Sequence, residues 1–570
     1  MFLKTLPLVI IIRLSTFYYF KLFRGIWKYA SINDLKIIFQ AVTSGSILIV
    51  FGITYIFHFY GFPRSVFIID WLLVMLLVGG SRFAYRLFQE IYPFERIKGK
   101  KVLIIGAGDA GEMILREIRN NPKIQLNPVG FIDDDPKKRD LRIRDIPVLG
   151  TINELETIAV GKGIEEIIIA IPSTSGKQMR KIIRKCRDAG VKFKTIPGIG
   201  DLINGRVNIN EIREVNEADL LRREVVEIDS EKIATEITQR NILVTGACGS
   251  IGSELCRQIC RLKPQRLILF DKAENGLYHM EWELQESFPK VEIIPLVGDI
   301  LDQVRVSRVL EEFRPEIIFH SAAYKHVPMM ESNPLEAIKN NLLGTRNIAL
   351  ACEQYRVAKM VLISTDKAVN PCNIMGASKR GAELFVQCMS QNGVTKFVTV
   401  RFGNVLNSDG SVVPRFKRQI ATGGPVTVTH PEIYRYFMTI PEAAQLVLQA
   451  GSMGQGGEIF ILDMGEPIKI VELAEDLIAL SGLKSGEDIE IIFTGLRPGD
   501  KLYEELLNPG EVIKPTYHKK IMIAEGAAVN DERLKRMISE LEELTQLNDT
   551  KCTIDKLKEI VPEFKSQAIM

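Results

Sequence analysis

Three neighbouring side chains that can exchange protons, those of Thr365, Asp366 and Lys367, directly follow a predicted buried strand, Met360 to Ser364. Open α/β sheets bind their ligands at the carboxyl ends of the strands, so this position favours contact with a ligand. A carboxyl group beside an amine can supply acid–base catalysis, and each well-placed group typically contributes about 10²- to 10⁴-fold in rate. The alternative is an exposed ion pair, worth about 0–1 kcal/mol of stability.

Lys379 is a fourth candidate catalytic residue, four positions after Met375 on a predicted helix. Residues i and i+4 share one face of a helix. Many dehydrogenases of nucleotide-binding folds carry a tyrosine and a lysine at these two positions, and this chain has methionine in place of the tyrosine. That substitution disfavours a simple tyrosine-based oxidoreductase, and we interpret Met375 as a packing residue.

A glycine-rich loop, residues 246–252, joins the predicted strand Asn241 to Thr245 to a helix. Glycines there let the backbone approach a phosphate at a helix N-terminus. Asp271 ends the next predicted strand, where a carboxylate accepts hydrogen bonds from both ribose hydroxyls and repels a 2′-phosphate. NAD is therefore favoured over NADP, although the neighbouring Lys272 argues against this. The predicted cofactor contacts are Gly246, Gly249, Ser250, Ile251, Gly252, Asp271, Lys272, Asp299, Ile300 and Ala322.

An earlier segment repeats the pattern of strand, glycine-rich loop and helix. Gly106, Gly108 and Gly111 follow the apolar run Lys101 to Ile105, and the acidic run 133–135 ends the next predicted strand. Two interpretations remain open for this segment, a nucleotide site and a purely structural or regulatory sheet. The alternation of strands and helices predicts an α/β fold of two tandem, doubly wound, Rossmann-like parallel sheets, preceded by a helical transmembrane region.

The N-terminal part contains long apolar stretches. Strong spans are predicted at about 37–60 and 65–85, and a weaker one at about 3–20, which includes Lys4, Pro7 and Arg13. About 20 helical residues cross the hydrocarbon core. Basic residues flank the two strong spans, so the positive-inside rule places the rest of the chain in the cytoplasm. This predicts a multi-pass protein of the inner or plasma membrane in contact with the lipid bilayer; the alternative is a buried hairpin of a soluble protein.

Composition limits the remaining functions. The formal net charge of +3 gives no reason to expect nucleic acid as a partner, and the eight cysteines include no CxxC pair or zinc-type cluster. We therefore expect no metal site and no disulfide framework. The predicted organisation is a transmembrane region (1–95), a first Rossmann-like domain (96–225), a linker (226–239) and a catalytic domain (240–570).

Nine ordered motifs carry a resemblance to a known family. They are TGACGSIG (245–252), LFDKAEN (269–275), GDI (298–300), HSAAYKHVPMME (320–331), NLLGT (341–345), STDKAVNPCNIMGASK (364–379), RFGNVLNSDGSVVPRF (401–416), RYFMTIPEA (435–443) and GLRPGDKLYEEL (495–506). Through them nearly the whole chain resembles the membrane-bound, CapD-like polysaccharide-biosynthesis dehydratases, of the extended short-chain dehydrogenase fold. The best-known activity of that family is UDP-N-acetylglucosamine 4,6-dehydratase.

The resemblance implies an internal redox reaction on a UDP-sugar, with hydride passing from C4 to C6 through NAD and loss of water. It implies that Lys367 removes the C5 proton, for which desolvation would lower its pKa. Asp366 would protonate the C6 hydroxyl, Thr365 would bind the C4 oxygen, and Lys379 would hold the nicotinamide ribose. The resemblance further implies cofactor contact by Asn341 and substrate contact by Lys325, Asn404, Arg435, Arg497 and Glu504, the last orienting Arg497 or the uridine ribose.

Several alternatives stay open at this point. A UDP-sugar C4 epimerase is the competing enzyme, and a non-enzymatic nucleotide sensor in a polysaccharide assembly complex is the competing function of another class. Members of the family usually have four transmembrane helices, and the first is expected to be absent here. A homo-oligomer is expected. The C4 hydroxyl proton would leave through Asp366, Thr365 or water, with Lys379 stabilising charge, and the choice among these stays open. The stereochemistry at C5 and the sugar itself stay open as well.

Overall fold

Two compact units, residues 1–99 and 100–570, make up the chain in the computed structural model. The structure describes residues 2–24, 32–57, 63–91, 99–121, 124–196, 212–221, 226–391, 393–508, 510–525 and 531–565. The predicted domain boundary at 95/96 falls within residues 92–98 and that at 225/226 falls at the end of residues 222–225, both outside the described residues. Those boundaries remain predictions.

Three helices form the smaller unit: α1 (Phe2–Tyr19), α2 (Ile32–Phe57) and α3 (Ser65–Ile91). The Arg13 guanidinium of α1 donates to Ser46 Oγ of α2 at 2.8 Å and pairs with the Asp70 carboxylate of α3. Within the described residues, one helical stretch, Leu35–Ile56, is long and apolar enough to cross a membrane. The apolar stretches in α1 and α3 are shorter, Thr5–Tyr19 and Ser65–Ser81.

A seven-stranded sheet opens the larger unit, in the order β3-β4-β2-β1-β5-β6-β7. Its strands are β1 (Lys100–Ile105), β2 (Leu126–Ile132), β3 (Arg142–Ile143), β4 (Ile146–Gly150), β5 (Glu166–Ile169), β6 (Lys192–Thr195) and β7 (Arg213–Glu214). The helices between them are α4 (Asp109–Asn120), α5 (Leu155–Lys162) and α6 (Gly176–Asp188), and α7 (Glu217–Leu221) follows β7. Only the edge strands β3 and β7 pair antiparallel; the other pairings are parallel.

A nine-stranded sheet follows, in the order β10-β9-β8-β11-β12-β13-β18-β22-β21, parallel up to β18. Its strands are β8 (Asn241–Thr245), β9 (Arg266–Asp271), β10 (Glu292–Val297), β11 (Ile317–His320), β12 (Lys359–Thr365), β13 (Lys396–Phe402), β18 (Ile459–Leu462), β21 (Val512–Pro515) and β22 (Ile521–Glu525). Short pairs are formed by β14 (Asn404–Val405), β15 (Val426–Val428), β16 (Tyr434–Arg435), β17 (Phe437–Met438), β19 (Ile468–Lys469) and β20 (Ile491–Phe493).

Helices cover both faces of this sheet, as a parallel sheet with apolar strands requires. The helices in this part of the chain are α8 (Ser230–Ile237), α9 (Ser250–Arg261), α10 (Glu274–Ser287), α11 (Gln303–Phe313), α12 (Val327–Ser332), α13 (Pro334–Ile338), α14 (Gly344–Gln354), α15 (Ile374–Met389), α16 (Val412–Ala421), α17 (Ile440–Met453), α18 (Ile470–Leu480), α19 (Asp531–Gln546) and α20 (Thr550–Ile560). Of these, α16 and α18 pack in one apolar cluster with α6 and strands of the first sheet. The predicted α/β class with parallel sheets is confirmed. The strand order changes direction between β8 and β11, which is where such sheets bind their ligands.

A buried ion-pair network fixes α15 to the sheet. Arg401 on β13 donates to both oxygens of Glu383 on α15, at 2.8 and 2.6 Å. The same guanidinium reaches both oxygens of Glu511, at 2.7 and 3.0 Å. Burial alone would raise the pKa of Glu511, but its hydrogen bonds to Arg401 lower it to about 2. One arginine therefore holds a strand, a helix and a loop together.

We expect Arg401→Met to destabilise the protein by about 3–5 kcal/mol, because it removes the cation that binds both oxygens of each buried carboxylate and leaves Glu383 and Glu511 only Arg380 Nη1 as a cationic partner. The matched control is Arg266→Met, which removes an exposed pair with Glu292 and should cost about 0–1 kcal/mol. Thermal unfolding of the purified full chain at pH 7 measures both. The Glu511 pKa is lowered in the fold, so its contribution is complete above the unfolded carboxyl pKa and is lost as pH falls toward about 2. Equal unfolding midpoints for the two variants would contradict this assignment.

Candidate active site

The candidate site is a cavity of about 780 Å³ at the carboxyl edge of the nine-stranded sheet. The loop after β8, the ends of β12 and β13 and the start of α15 all contribute to its wall. Among the residues predicted to do chemistry, Thr365, Lys367 and Lys379 line it. Predicted ligand contacts in its lining are Gly249, Ser250, Ile251, Gly252, Lys325 and Asn404. The topology thus brings together residues that are far apart in sequence.

A smaller cavity of about 300 Å³ shares part of that wall. Its lining includes Gly246, Gly249, Asp271, Lys272, Asp299, Ile300 and Ala322. The loop beside it cannot take larger side chains at its last glycine, since a Cβ on Gly252 would lie 2.0 Å from Gly246 O. Asp271 accepts hydrogen bonds from Cys248 N and Ala273 N, both at 3.0 Å. A tight backbone loop with a fixed acid beside it fits the adenosine half of a dinucleotide.

Two predicted cofactor contacts have protein partners of their own. The Lys272 ammonium lies 3.8 Å from the Asp299 carboxylate and contacts Tyr324 OH. Its charge is thus already partly balanced, which weakens the argument against NAD. Asn341 is fully buried; its Oδ1 accepts from Tyr324 N at 2.8 Å and its Nδ2 donates to Ser378 Oγ at 3.1 Å. Asn341 therefore supports the cavity wall instead of lining it.

Hydrogen bonds connect the catalytic triplet. Thr365 Oγ1 donates to Asp366 Oδ1 at 2.9 Å, and Lys367 Nζ donates to the same oxygen at 3.0 Å. Lys367 Nζ also donates to Asn404 Oδ1 at 3.2 Å. Asp366 is 2% exposed, and its Oδ2 has no hydrogen-bond partner among the residues that the structure describes. Asp366 therefore lies behind the cavity wall, in contact with Thr365 and Lys367.

Helix α15 brings Lys379 next to this triplet. Asn373 caps the helix by accepting from Gly376 N at 2.7 Å. Gly376 lets the start of helix α15 lie directly against the backbone of Lys367, because a Cβ at position 376 would lie only 2.1 Å from Lys367 O. Lys379 is 4% exposed, and its Nζ has no hydrogen-bond partner within the described part of the chain. An amine that is buried, unpaired and at a cavity wall is available to a ligand.

The two lysines have opposite pKa shifts. Burial lowers the pKa of Lys379 to about 8, although the Glu383 carboxylate opposes the shift. Burial also acts on Lys367, but the carboxylates of Asp366 and Glu504 outweigh it and raise its pKa. The predicted lowering of the Lys367 pKa is therefore wrong. Of the two lysines, Lys379 is the one whose pKa lies nearer to neutral pH.

Two of the predicted substrate contacts, Arg497 and Glu504, pair with other residues in the structure. Arg497 Nε donates to Asp500 Oδ2 at 3.1 Å. Glu504 instead lies 3.5 Å from Arg435 Nε and 3.9 Å from Lys367 Nζ. Glu504 thus lies beside Arg435, whereas Arg497 pairs with Asp500, and contact of Glu504 with the uridine ribose stays a prediction. Sequence reasoning missed its place beside Lys367, and no spacing signal indicates it, because the two residues lie on separate loops.

The seven-stranded sheet has a similar loop at Gly106, Gly108 and Gly111. Asp133 at the end of β2 accepts from Ala107 N at 2.8 Å, as Asp271 does from Cys248 N. It also accepts from Lys138 Nζ at 2.9 Å. Nucleotide binding by this loop remains a prediction.

Comparison with known proteins gives two family matches and several relatives. The profile of the family described as polysaccharide biosynthesis protein matches residues 242–526, and a CoA-binding domain profile matches residues 26–197. The capsular polysaccharide biosynthesis protein CapD of Staphylococcus aureus is 45% identical over 507 residues, which cover 88% of this chain and 84% of that protein.

Two further relatives are named as enzymes. An inverting UDP-N-acetylglucosamine 4,6-dehydratase of Campylobacter jejuni is 33% identical, over 47% of this chain and 78% of that enzyme. A UDP-glucose 4-epimerase of Rickettsia bellii is 30% identical, over 56% of this chain and 95% of that enzyme. The chain is thus similar to enzymes of two reaction types that both act on UDP-sugars.

Proposed function

The chain belongs to the polysaccharide biosynthesis protein family, and we propose that it is an NAD-dependent UDP-N-acetylglucosamine 4,6-dehydratase. Its product would be a UDP-4-keto-6-deoxy sugar for capsule, exopolysaccharide or glycan synthesis. One observation carries the proposal: Thr365, Lys367 and Lys379 line a single cavity, with the Asp366 carboxyl buried behind them. The dehydratase relative supports the same reaction.

The smaller cavity is the proposed binding place for the adenosine half of NAD. Asp271, fixed by two backbone hydrogen bonds, would hold the ribose hydroxyls. When bound, NAD would supply the hydride acceptor for C4 and the hydride donor for C6. Because Gly252 has no side chain, the backbone of the glycine-rich loop would lie close to the pyrophosphate of NAD.

We propose that Lys379 removes the proton of the C4 hydroxyl. In this chain the position four residues earlier is Met375, which has no proton to exchange and is 2% exposed. The amine of Lys379 lines the cavity and has a pKa of about 8, so a sizeable fraction is neutral near physiological pH. Thr365 would hydrogen-bond the C4 oxygen, because its hydroxyl is already oriented by Asp366.

Elimination of water would use Lys367 and Asp366. The ketone at C4 makes the C5 proton acidic, and Lys367 is the lysine of the triplet that reaches the cavity. Asp366 shares a hydrogen bond with both Thr365 and Lys367, so it can pass a proton toward the C6 hydroxyl through either of them. The C4 hydroxyl and C5 each lose one proton, the C6 hydroxyl gains one as it leaves as water, and C5 regains one when hydride adds to C6. The reaction therefore needs no net proton.

The full chain incubated with UDP-N-acetylglucosamine should release water and form a 4-keto product of correspondingly lower mass. Mass spectrometry of the sugar nucleotide measures this. A product of unchanged mass would instead support a UDP-sugar C4 epimerase, the candidate that the epimerase relative favours. NMR of the keto product would also give the configuration at C5.

The double variant Asp366→Asn/Lys367→Ala is the matched site control for that assay. We expect it to lose at least about 10²-fold in water release, because it removes both groups of the elimination step. Full retention of turnover would refute the site assignment. Inactivity of the wild type toward every UDP-hexose would favour the nucleotide-sensor alternative.

The rate of C4 oxidation should rise with pH and level off above about 8, because only the neutral amine of Lys379 accepts a proton. Lys379→Arg keeps the charge but has a pKa above about 12, so it should be at least about 10²-fold slower at every pH tested. Single-turnover NADH absorbance measures the rate, and NAD affinity by calorimetry is the control for cofactor binding. A variant that binds NAD normally and oxidises C4 at the wild-type rate would exclude Lys379 as the base.

We further propose that the chain is membrane-bound through its smaller unit, with the catalytic unit in the cytoplasm. The stretch Leu35–Ile56 supports this by length and composition. The ion pair between Arg13 and Asp70 supports joint burial of α1 and α3, since charges in a bilayer persist when paired. After washing of cell membranes with alkaline carbonate, the chain should stay in the pellet. Complete release into the wash would disprove membrane insertion.

A further inference from the structure

The side chain of Asn404 is held between Lys367 and the backbone of Tyr436. It follows the end of β13 and lies in the wall of the larger cavity. Its Nδ2 donates to Tyr436 O at 3.1 Å, and its Oδ1 accepts from Lys367 Nζ at 3.2 Å. A carbonyl oxygen can only accept and a lysine ammonium can only donate, so these two partners determine which way the amide faces. The amide oxygen of Asn404 therefore faces Lys367.

The position of Asn404 is built into the fold. Strand β14, which begins at Asn404, pairs in parallel with β17, and Asn404 N donates to Tyr436 O at 3.2 Å. The preceding Gly403 packs directly against the catalytic triplet, because a Cβ at position 403 would lie 2.8 Å from Asp366 Oδ2. The backbone at residues 403 and 404 is therefore fixed beside Asp366 and Lys367 before any ligand binds.

Asn404 and Asp366 occupy two sides of the Lys367 nitrogen. Lys367 Nζ donates to Asp366 Oδ1 at 3.0 Å as well as to Asn404 Oδ1. Glu504 Oε1, at 3.9 Å from the same nitrogen, is too far away for a hydrogen bond. A tetrahedral lysine nitrogen has three positions besides its bond to carbon, and two of them point to these two acceptors. The third position is left for the cavity, whose wall includes Lys367.

This arrangement determines where the lone pair of a neutral Lys367 lies. In the ammonium form the third N–H faces the open cavity, where water can accept its proton. In the resulting amine the two remaining N–H groups stay on Asp366 Oδ1 and Asn404 Oδ1, which both accept in the structure. The lone pair then takes the third position, toward a bound substrate. With one acceptor missing, the amine could turn about its Cε–Nζ bond and direct an N–H at the substrate instead.

We propose that Asn404 is the positioning residue that directs the lone pair of Lys367 toward the C5 proton of the substrate. The inference rests on the dehydratase function proposed above, and it adds a role to the substrate contact predicted for Asn404. In this step the C5–H bond breaks, its proton bonds to the Lys367 nitrogen, and its electron pair forms the enolate of the C4 ketone. A neutral amide suits the role, because it accepts a hydrogen bond without adding a charge that holds the proton on the lysine.

Asn404→Ala removes the acceptor and keeps both Asp366 and Lys367. In a single turnover at saturating UDP-N-acetylglucosamine, NADH should form at the wild-type rate, since the proposed C4 oxidation does not use Lys367. The decay of NADH should be at least about 10-fold slower, because a reacting group displaced by about 1 Å can lose about 10²-fold in rate. NADH returns its hydride only after water has been eliminated, so its absorbance follows both steps in one experiment.

Asn404→Asp separates orientation from charge. Burial acts against the Asp366 and Glu504 carboxylates, which together raise the pKa of Lys367, and a third negative charge should raise it further. Acetylation of Lys367 by acetic anhydride requires the neutral amine, and peptide mass spectrometry measures its rate. We expect slower acetylation in Asn404→Asp, and acetylation at least as fast as in the wild type in Asn404→Ala. The decay of NADH should be slow in both variants.

The matched control is Asn241→Ala, at the amino end of the same sheet. Asn241 Nδ2 also donates to a backbone carbonyl, Phe313 O at 3.3 Å, so the control removes a similar amide far along the strands from the cavity. Formation of NADH, its decay and the acetylation of Lys367 should all match the wild type.

Three results in the variants would overturn the inference. Decay of NADH at the wild-type rate in Asn404→Ala would mean that Lys367 needs no orienting acceptor. Equal slowing of NADH formation and decay in that variant would indicate a structural or substrate-binding role. Unchanged acetylation of Lys367 in Asn404→Asp would show that residue 404 does not contact the amine.

Failure of the proposed function gives a different result. A wild type that releases no water would overturn the dehydratase function and this inference with it. A wild type that releases water, combined with any of the three variant results, would overturn the inference alone. Acetylation of Lys367 needs no turnover, so it reports on the contact with Asn404 in either case.

Discussion

The guanidinium of Arg401 determines where the reactive groups of the larger unit can lie. It is buried between Glu383 on α15 and Glu511 in the loop before β21. A buried cation needs its partners, because an unpaired charge in the interior costs several kcal/mol. Helix α15 and the segment that ends at Glu511 are therefore tied to the same point of β13. Lys379 lies one turn before Glu383 on that helix, and Glu504 precedes Glu511 on that segment, so one ion-pair network supports both sides of the site.

The contrast between Lys379 and Lys367 shows how neighbours decide the chemistry of buried amines. Both are buried, and burial by itself favours the neutral form of a lysine. Lys379 faces no hydrogen-bonding partner among the described residues, so burial prevails and its pKa falls to about 8. Lys367 touches Asp366 and lies near Glu504, so attraction prevails and its pKa rises. A site with methionine at position 375 thus still has two buried lysines, one with its pKa lowered by burial and one with its pKa raised by neighbouring carboxylates.

Much of the fold and part of the site could be predicted from the sequence. Continuous apolar runs such as Ile242–Thr245 ended in glycines or acids, and this pattern indicated strands of a parallel sheet with ligand groups at their ends. The spacing of four residues also predicted that Met375 and Lys379 share one face of a helix. The pairing of Glu504 could not be predicted, because it depends on how two irregular loops meet, and loops have no periodicity. The pKa of Lys367 could not be predicted for the same reason, since it depends on that pairing.

The two glycine-rich loops of the chain differ in how far the acidic residue beside each loop can still accept hydrogen bonds from a ligand. Asp271 accepts two backbone hydrogen bonds and faces the smaller cavity, so its remaining lone pairs can accept from ribose hydroxyls. Asp133 accepts from Ala107 N and Asp135 N, and it also holds the ammonium of Lys138 at 2.9 Å. Its charge is balanced within the protein, and these hydrogen bonds lower its pKa against the effect of burial. A ribose at that loop would have to displace Lys138, whereas a ribose beside Asp271 meets no such competitor, so the chemistry is best placed at the nine-stranded sheet.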